Sequence, residues 1–462
     1  MTVIPSADKA VRLASSHDAS GLELVPELVA RPESADEVVE ILRGASASAT
    51  CVTAAGGQSS TTGASITDQG ILLSLRALDR ILDIDHTART VRVQPGVPVA
   101  VVRRAAAEHG LLFAPDPTSE EEATVGGALA CNASGARSLR YGTTRAHVLS
   151  LRVVLACGDT IEVRRARLEK NTVGYAMAQD PVDWFVGSEG TLGVIVEAEL
   201  SLLPLPGMVR GLAIPFESEA DALAFVVAAR ESNRVSARCL EYFDQAALEI
   251  VRAADGGSEW GGGRGVGTGR SLVYCEEASD CHEDVTLDEW VALAERHHAA
   301  IADARVLESE AELREARRLR HAVPARMNER GSALRMSGGR KVSTDWAVPY
   351  RMLDQAIGEA RAAAARQGLA PPVIYGHAGN GHPHENFIAR DAAELVLVER
   401  AVEETLHHVL SAGGTVAAEH GIGKLKRRWL PLQMSPLQIG AMRSLKRELD
   451  PLGILAPGNV LP

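Results

Sequence analysis

Three histidines fall within eight residues in YGHAGNGHPHENFI, which runs from Tyr375 to Ile388, with Glu385 and Asn386 behind them. Imidazoles at this density can ligate a metal ion, or they can be ordinary polar residues of a glycine-rich loop. His382 and His384 are two apart, so a strand would point both to one face and leave His377 in a loop. A second stretch, Ala55–Gly63 (AGGQSSTTG), is built of small and hydroxylic residues. Such a loop lets backbone approach a ligand, and its N–H groups and hydroxyls can hold an anion; it can equally be a polar turn. The residues alone leave both choices open.

The surrounding pattern says what must position these residues. Residues 36–48 carry apolar positions at helical spacing after an acidic start. A short apolar strand feeds the loop that begins at Ala55. Residues 90–97 alternate as a strand does, and Pro95-Gly96 ends it. Residues 99–109 are predicted helical, with Gly110 as the stop. A loop-like segment is expected from 115 to 142. Residues 151–163 read as a hairpin about Gly158-Asp159, and 187–206 as a glycine turn feeding an alternating strand. After Pro204-Leu205-Pro206 helical runs alternate with short strands, so a domain boundary is placed near 206. The glycine-rich run 255–270 lacks a GxGxxG in register and reads as a surface loop.

A chain of 462 residues has room for two or three domains, and 46% hydrophobic with 23% charged residues is the composition of a globular protein. Its net charge of −12 argues against a nucleic-acid surface, which needs clustered Lys and Arg. Six cysteines (Cys51, Cys131, Cys157, Cys239, Cys275, Cys281) are scattered without a CxxC, which reads as free thiols and excludes a built-in iron–sulfur domain. No signal peptide is evident, and no apolar run reaches the ~18 residues of a membrane span, so a cytoplasmic location is expected.

Five segments then fall in order: Ala55–Gly63; Pro115–Ser119 (PDPTS); Ala123–Gly127 (ATVGG) with Asn132–Gly135 and Tyr141-Gly142; Gly187–Gly193 (GSEGTLG); and the histidine stretch. This series resembles the FAD-linked oxidase family of the vanillyl-alcohol oxidase fold. The branch concerned holds D-lactate dehydrogenase, D-2-hydroxyglutarate dehydrogenase and the FAD subunit of glycolate oxidase. The resemblance implies an α+β flavoprotein of two domains. Residues 22–206 would be a PCMH-type FAD-binding domain. Residues 207–462 would be a ferredoxin-like substrate domain, a sheet flanked by helices, whose last segment returns to the flavin.

The same resemblance assigns residues. Gly56, Gly57, Gln58, Ser59 and Ser60 fall at the FAD pyrophosphate, with Thr118, Gly126, Gly127 and Ser134; Glu189, Gly190, Gly193 and Ile195 fall against the flavin. No histidine lies in the first loop, so FAD is expected without a covalent link. A divalent metal, zinc or manganese, would take His377, His384 and Glu419 as ligands. Glu419 and His420 come from AEHGIG (418–423). His382 then becomes a neighbour of the ligands, and Asn380 stands where the family has Asp. His420 corresponds to the catalytic base, Asn386 to a substrate-binding amide, and Arg320 to the carboxylate clamp. The family's second cation is replaced by Ser343, which leaves Lys341 two residues earlier, or Arg340, to reach the substrate. Near the end, Ala456 and Asn459 replace Asn and Lys.

The expected reaction is oxidation of a (R)-2-hydroxy acid to the 2-oxo acid, with hydride passing to the flavin. D-Lactate is the first choice, because Ser343 removes a contact that a second carboxylate would use. D-2-Hydroxyglutarate and glycolate stay open, as do a larger hydroxy acid and a subunit that needs an iron–sulfur partner. A metal hydrolase using the same three ligands is the reading from a different class. The electron acceptor (quinone, cytochrome, electron-transfer flavoprotein or oxygen) and any homo-oligomer are not specified by the sequence.

Overall fold

A computed structural model describes residues 4–166, 168–254, 270–279 and 287–462. The glycine-rich run at 255–269 and Cys281 lie outside the described residues. Contacts divide the chain into two units. One comprises residues 1–135, 141–205 and 419–462; the other comprises 136–140 and 206–418. Residues 419–462 thus group with the first unit, whereas the sequence reading runs one domain from 207 to 462.

In the first unit, three short strands pair in parallel in the order Leu28–Ala30, Ile71–Ser74, Val52–Ala55. Ser34 caps the helix Ala35–Ala47, accepting from the Glu37 amide. Its inward positions Val38, Ile41 and Leu42 pack with those strands and with Ile454 and Leu455. The second sheet is antiparallel, in the order Ile81–Asp85, Thr90–Val93, Val194–Ser201, Val148–Val154, Thr160–Arg164. The expected hairpin is present, with Gly158 at φ +84° in its turn.

The segment expected to be loop-like from 115 to 142 holds a helix, Val125–Cys131. Two successive glycines hide it from propensity. Local capping restores it: Thr124 accepts from the Gly127 amide, and Asn132 ends the helix in the left-handed region.

The second unit is one seven-stranded sheet. Its order is Arg305–Leu307, Met208–Phe216, Ser271–Ser279, Ala237–Phe243, Val373–His377, His382–Asp391, Gly338–Ser343. Apolar residues on one sheet face, such as Phe243, Tyr274 and Tyr375, pack against Leu313, Leu319, Val323 and Met327 of the helix Glu310–Ser332. That helix opens with a reciprocal Ser309/Glu312 capping box.

The same face buries charge. Glu276 accepts from Tyr274 Oη at 2.7 Å and from Arg238 at 2.6 Å, while Arg137 and Arg317 stand 3.5 and 3.8 Å away. Burial alone would raise this carboxyl, but the three guanidiniums outweigh it and hold it down at about 2. The described cysteines are unbridged, as expected. Among the described residues no helix is long and apolar enough to cross a membrane.

Candidate functional site

Strand alternation builds the histidine face in the second unit. Val373–His377 runs antiparallel to His382–Asp391 with His377 opposite His382, Tyr375 opposite His384 and Val373 opposite Asn386. Side chains of like parity share a face, so all three histidines and Asn386 point the same way. Their ring centroids are 4.8–5.4 Å apart. His377 is the last residue of its strand, not the loop residue that the spacing suggests. The turn between the strands closes at Gly381 (φ +67°), where a Cβ would lie 1.9 Å from the Val348 carbonyl oxygen.

The neighbouring strand contributes Glu241, in register with this end because Tyr242 pairs with Gly376. His377 Nδ1 donates to Glu241 Oε1 at 2.6 Å, and Arg320 Nε donates to Oε2 of the same carboxylate. Burial would raise Glu241, but Arg320 and His377 prevail and hold it at about 2. A carboxylate on Nδ1–H fixes the tautomer and leaves Nε2 as the lone-pair nitrogen, the arrangement typical of metal-ligating histidines. Arg320 Nη2 stands 3.3 Å from the ring nitrogens.

Other expected residues line up along this face. Asn386 Nδ2 donates to the His384 carbonyl at 3.0 Å; its buried Oδ1 has no hydrogen-bond partner among the described residues. Ser343 pairs with Asn386, and Lys341 with Ile388, so Lys341 shares the face. Its Nζ donates to Asn328 at 2.9 Å, and burial brings its pKa down to about 8. Arg340 faces the opposite side and pairs with Glu399 at 3.2 Å. His382 Nε2 lies 3.1 Å from Asp345 Oδ1 without the alignment of a hydrogen bond.

The first unit holds the glycine loops. Arg76 donates to the carbonyls of Gly56 and Gly57 at 3.1 and 2.7 Å. In a trans peptide the next N–H points opposite its carbonyl, so the amides of Gly57 and Gln58 face away from Arg76. Among the described residues the amides of Gly57, Gln58, Ser59 and Ser60 have no hydrogen-bond partner. Four half-buried donors in a row fit the phosphates of a dinucleotide. The packing beneath is tight: a Cβ on Gly57 would lie 1.9 Å from the Glu122 carbonyl oxygen. Gly57→Ala is therefore expected to displace the loop and lower the flavin bound per protein, read from the flavin-to-protein absorbance ratio. Full flavin content in that variant would remove the cradle assignment.

Several residues assigned to the flavin by resemblance also have a defined place within the protein itself. Gln58 donates to the carbonyls of Ser15 and His17. Gly126 packs on Pro95, Gly193 on Val153, and Ile195 lies in the core. Gly127 donates to the capping Thr124, Gly190 turns at φ +75°, and Thr118 is exposed. Ser134 Oγ donates to Glu419 Oε2 at 3.2 Å, and Glu419 Oε1 is 3.4 Å from His420 Nε2. Asn459 bridges three segments: it donates to the carbonyls of Ala64 and Glu189 and accepts from Lys424 Nζ.

Sequence reading missed Glu241, gave Asp345 no role, and singled out Asn459 only as a replacement of the family's Lys. Glu241 carried a signal, a lone acid inside an apolar strand run, which is a buried charge in need of a partner. The partners of Asn459 could not be read, since they come from segments far away in the chain.

Residues 26–164 match the family model described as FAD binding domain, and residues 205–460 match FAD linked oxidases, C-terminal domain. The chain is 31% identical to glycolate oxidase subunit GlcD of Bacillus subtilis, over 97% of this chain and 92% of that protein. It is 32% identical to a D-2-hydroxyglutarate dehydrogenase of Xanthomonas citri pv. viticola (94% and 89%). It is 30% identical to a D-lactate dehydrogenase of Archaeoglobus fulgidus (100% and 99%). Among solved structures, an alkyldihydroxyacetonephosphate synthase superposes with a TM-score of 0.73 at 20% identity, covering 98% of this chain and 83% of that one, which establishes likeness of fold.

Proposed function

The chain belongs to the FAD-linked oxidases, in the branch of glycolate oxidase subunit GlcD and the D-lactate and D-2-hydroxyglutarate dehydrogenases, and from that premise we propose that it oxidises a (R)-2-hydroxy acid, with D-lactate the first substrate to test. The observation that carries this reading is the buried histidine face, with His377 held by Glu241 and an unpartnered Asn386 acceptor beside it.

When bound, FAD supplies the acceptor for the two electrons and the hydrogen that leave the α-carbon. The chain's residues bind, orient and deprotonate. His420 takes the proton of the α-hydroxyl. Arg320 is the clamp for the substrate carboxylate, its guanidinium oriented by Glu241. Asn386 Oδ1 accepts a hydrogen bond, and Lys341 offers a second cation. His377, His384 and Glu419 would hold a divalent ion, zinc or manganese, which lowers the pKa of a bound hydroxyl. The Glu241–His377 contact supports that assignment, because it presents Nε2 as a donor of electrons.

The test is an anaerobic visible spectrum. The flavin band is expected to bleach with D-lactate, or with another D-2-hydroxy acid, and not with the L enantiomer. Folded protein that takes up no FAD, or that bleaches equally with both enantiomers, would overturn the reading. A chelator is expected to stop the bleaching and leave the band, with zinc or manganese restoring it. Unchanged bleaching after chelation would remove the metal. Similarity to a subunit, GlcD, supports a second reading in which the acid bleaches the flavin but turnover needs a partner chain.

A further inference from the structure

We propose that Glu189 is a positioning residue that acts on the reaction through His420, by holding the backbone of the loop that carries it. The inference rests on the reading of His420 as the base. Glu189 Oε1 accepts from the Ile422 amide at 2.6 Å, and Oε2 accepts from the Gly423 amide at 2.7 Å. Both bonds are short and charge-assisted, and the carboxylate is buried. The loop lies directly on it, since a Cβ on Gly421 would sit 2.6 Å from Oε1.

The loop needs such a hold. Gly421 and Gly423 both adopt positive φ, +74° and +51°, and glycine carries the largest backbone freedom to be lost. Thr62 Oγ1 donates to the His420 carbonyl at 3.4 Å, which ties the near end. Glu189 ties the two amides beyond, so the turn that aims the imidazole is fixed on both sides. Glu189 is itself over-determined. It sits at φ +51°, which is costly for a side chain with a Cβ. Its own amide donates to the Ala130 carbonyl at 2.9 Å, and its carbonyl accepts from Asn459 at 3.2 Å. A strained residue held from both neighbours is a rigid support, which is what placing a proton acceptor requires.

The variants are Glu189→Gln and Glu189→Ala. Glutamine keeps the shape but has one acceptor oxygen, so its NH2 group meets one of the two N–H donors. With flavin bound at wild-type stoichiometry, Glu189→Gln is expected to lose about 10²-fold in kcat with KM within about two-fold, the signature of a misplaced group. In the holoprotein, hydrogen exchange of peptides covering residues 419–426 is expected to be faster in both variants. A kcat close to wild type in Glu189→Gln, or unchanged exchange in Glu189→Ala, overturns the proposal. The failure of the underlying reading looks different. If His420→Ala keeps turnover, His420 is not the base and the proposed route through it falls, even where exchange shows the Glu189 contact to be real.

Discussion

Replacing His420 with alanine is expected to lower the rate of anaerobic flavin bleaching by about 10²–10⁴-fold, the range that a positioned general base supplies. The flavin band itself should persist, because the amides of Gly57 to Ser60 that fit the phosphates belong to another loop. His420 is a quarter exposed, and its Nε2 stands 3.4 Å from Glu419 Oε1, close enough for that carboxylate to stabilise the imidazolium that proton transfer creates. Stopped-flow bleaching with a saturating D-2-hydroxy acid measures the effect. A variant within ten-fold of wild type would assign the base elsewhere, with Lys341, already brought down to about 8, the next group to test.

The second large effect concerns stability. Glu276→Ala is expected to destabilise the second unit by about 3–5 kcal/mol, because it leaves the buried Arg238 guanidinium without its carboxylate. The sign of the pH dependence follows from the depressed pKa. The unfolded chain binds a proton near the ordinary 4.5 and the folded one only near 2. Glu276 therefore contributes fully above about 4.5, and the contribution is lost as pH falls toward 2. Glu276→Gln keeps the volume and removes this titration. Chemical denaturation at neutral and acid pH, followed by hydrogen exchange in Ala237–Phe243 and Ser271–Ser279, should show a smaller acid loss in that variant than in wild type. Equal acid losses would mean that other carboxylates carry the sensitivity.

Much of the secondary structure could be read from pattern, because capping and alternation are local. The helix Ala35–Ala47, the hairpin about Gly158 and the strand after Gly193 all carry their signals within a few residues. The helix Val125–Cys131 did not, since its glycines argue against it and its stability comes from Thr124 and Asn132 at its ends. At the site, spacing correctly put His382 and His384 on one face. It could not place His377 there as well, because the Gly381 turn that folds one strand onto the other rests on a close approach to Val348, 33 residues away (381 − 348). The roles of Gln58, Gly126 and Ile195 were carried by resemblance, and their contacts here are with other parts of the protein. Glu276 lay hidden because an ion pair across strands leaves no periodic trace, and the partners of Glu241, Arg320 on a helix and His377 on another strand, could not be read from its own segment.

The grouping of residues 419–462 with the first unit also governs the order in which the molecule can be made. Ile454 and Leu455 lie in the core beside Val38 and Leu42, and the backbone of Val52 exchanges hydrogen bonds with Ile454 and Ala456. A ribosome that has delivered residues 1–205 has therefore not yet delivered the whole of that core. The intervening stretch must emerge, and can fold, before the unit that began first is completed. Until then the parallel strands keep apolar surface uncovered, which is when a nascent chain is most open to aggregation and to chaperones.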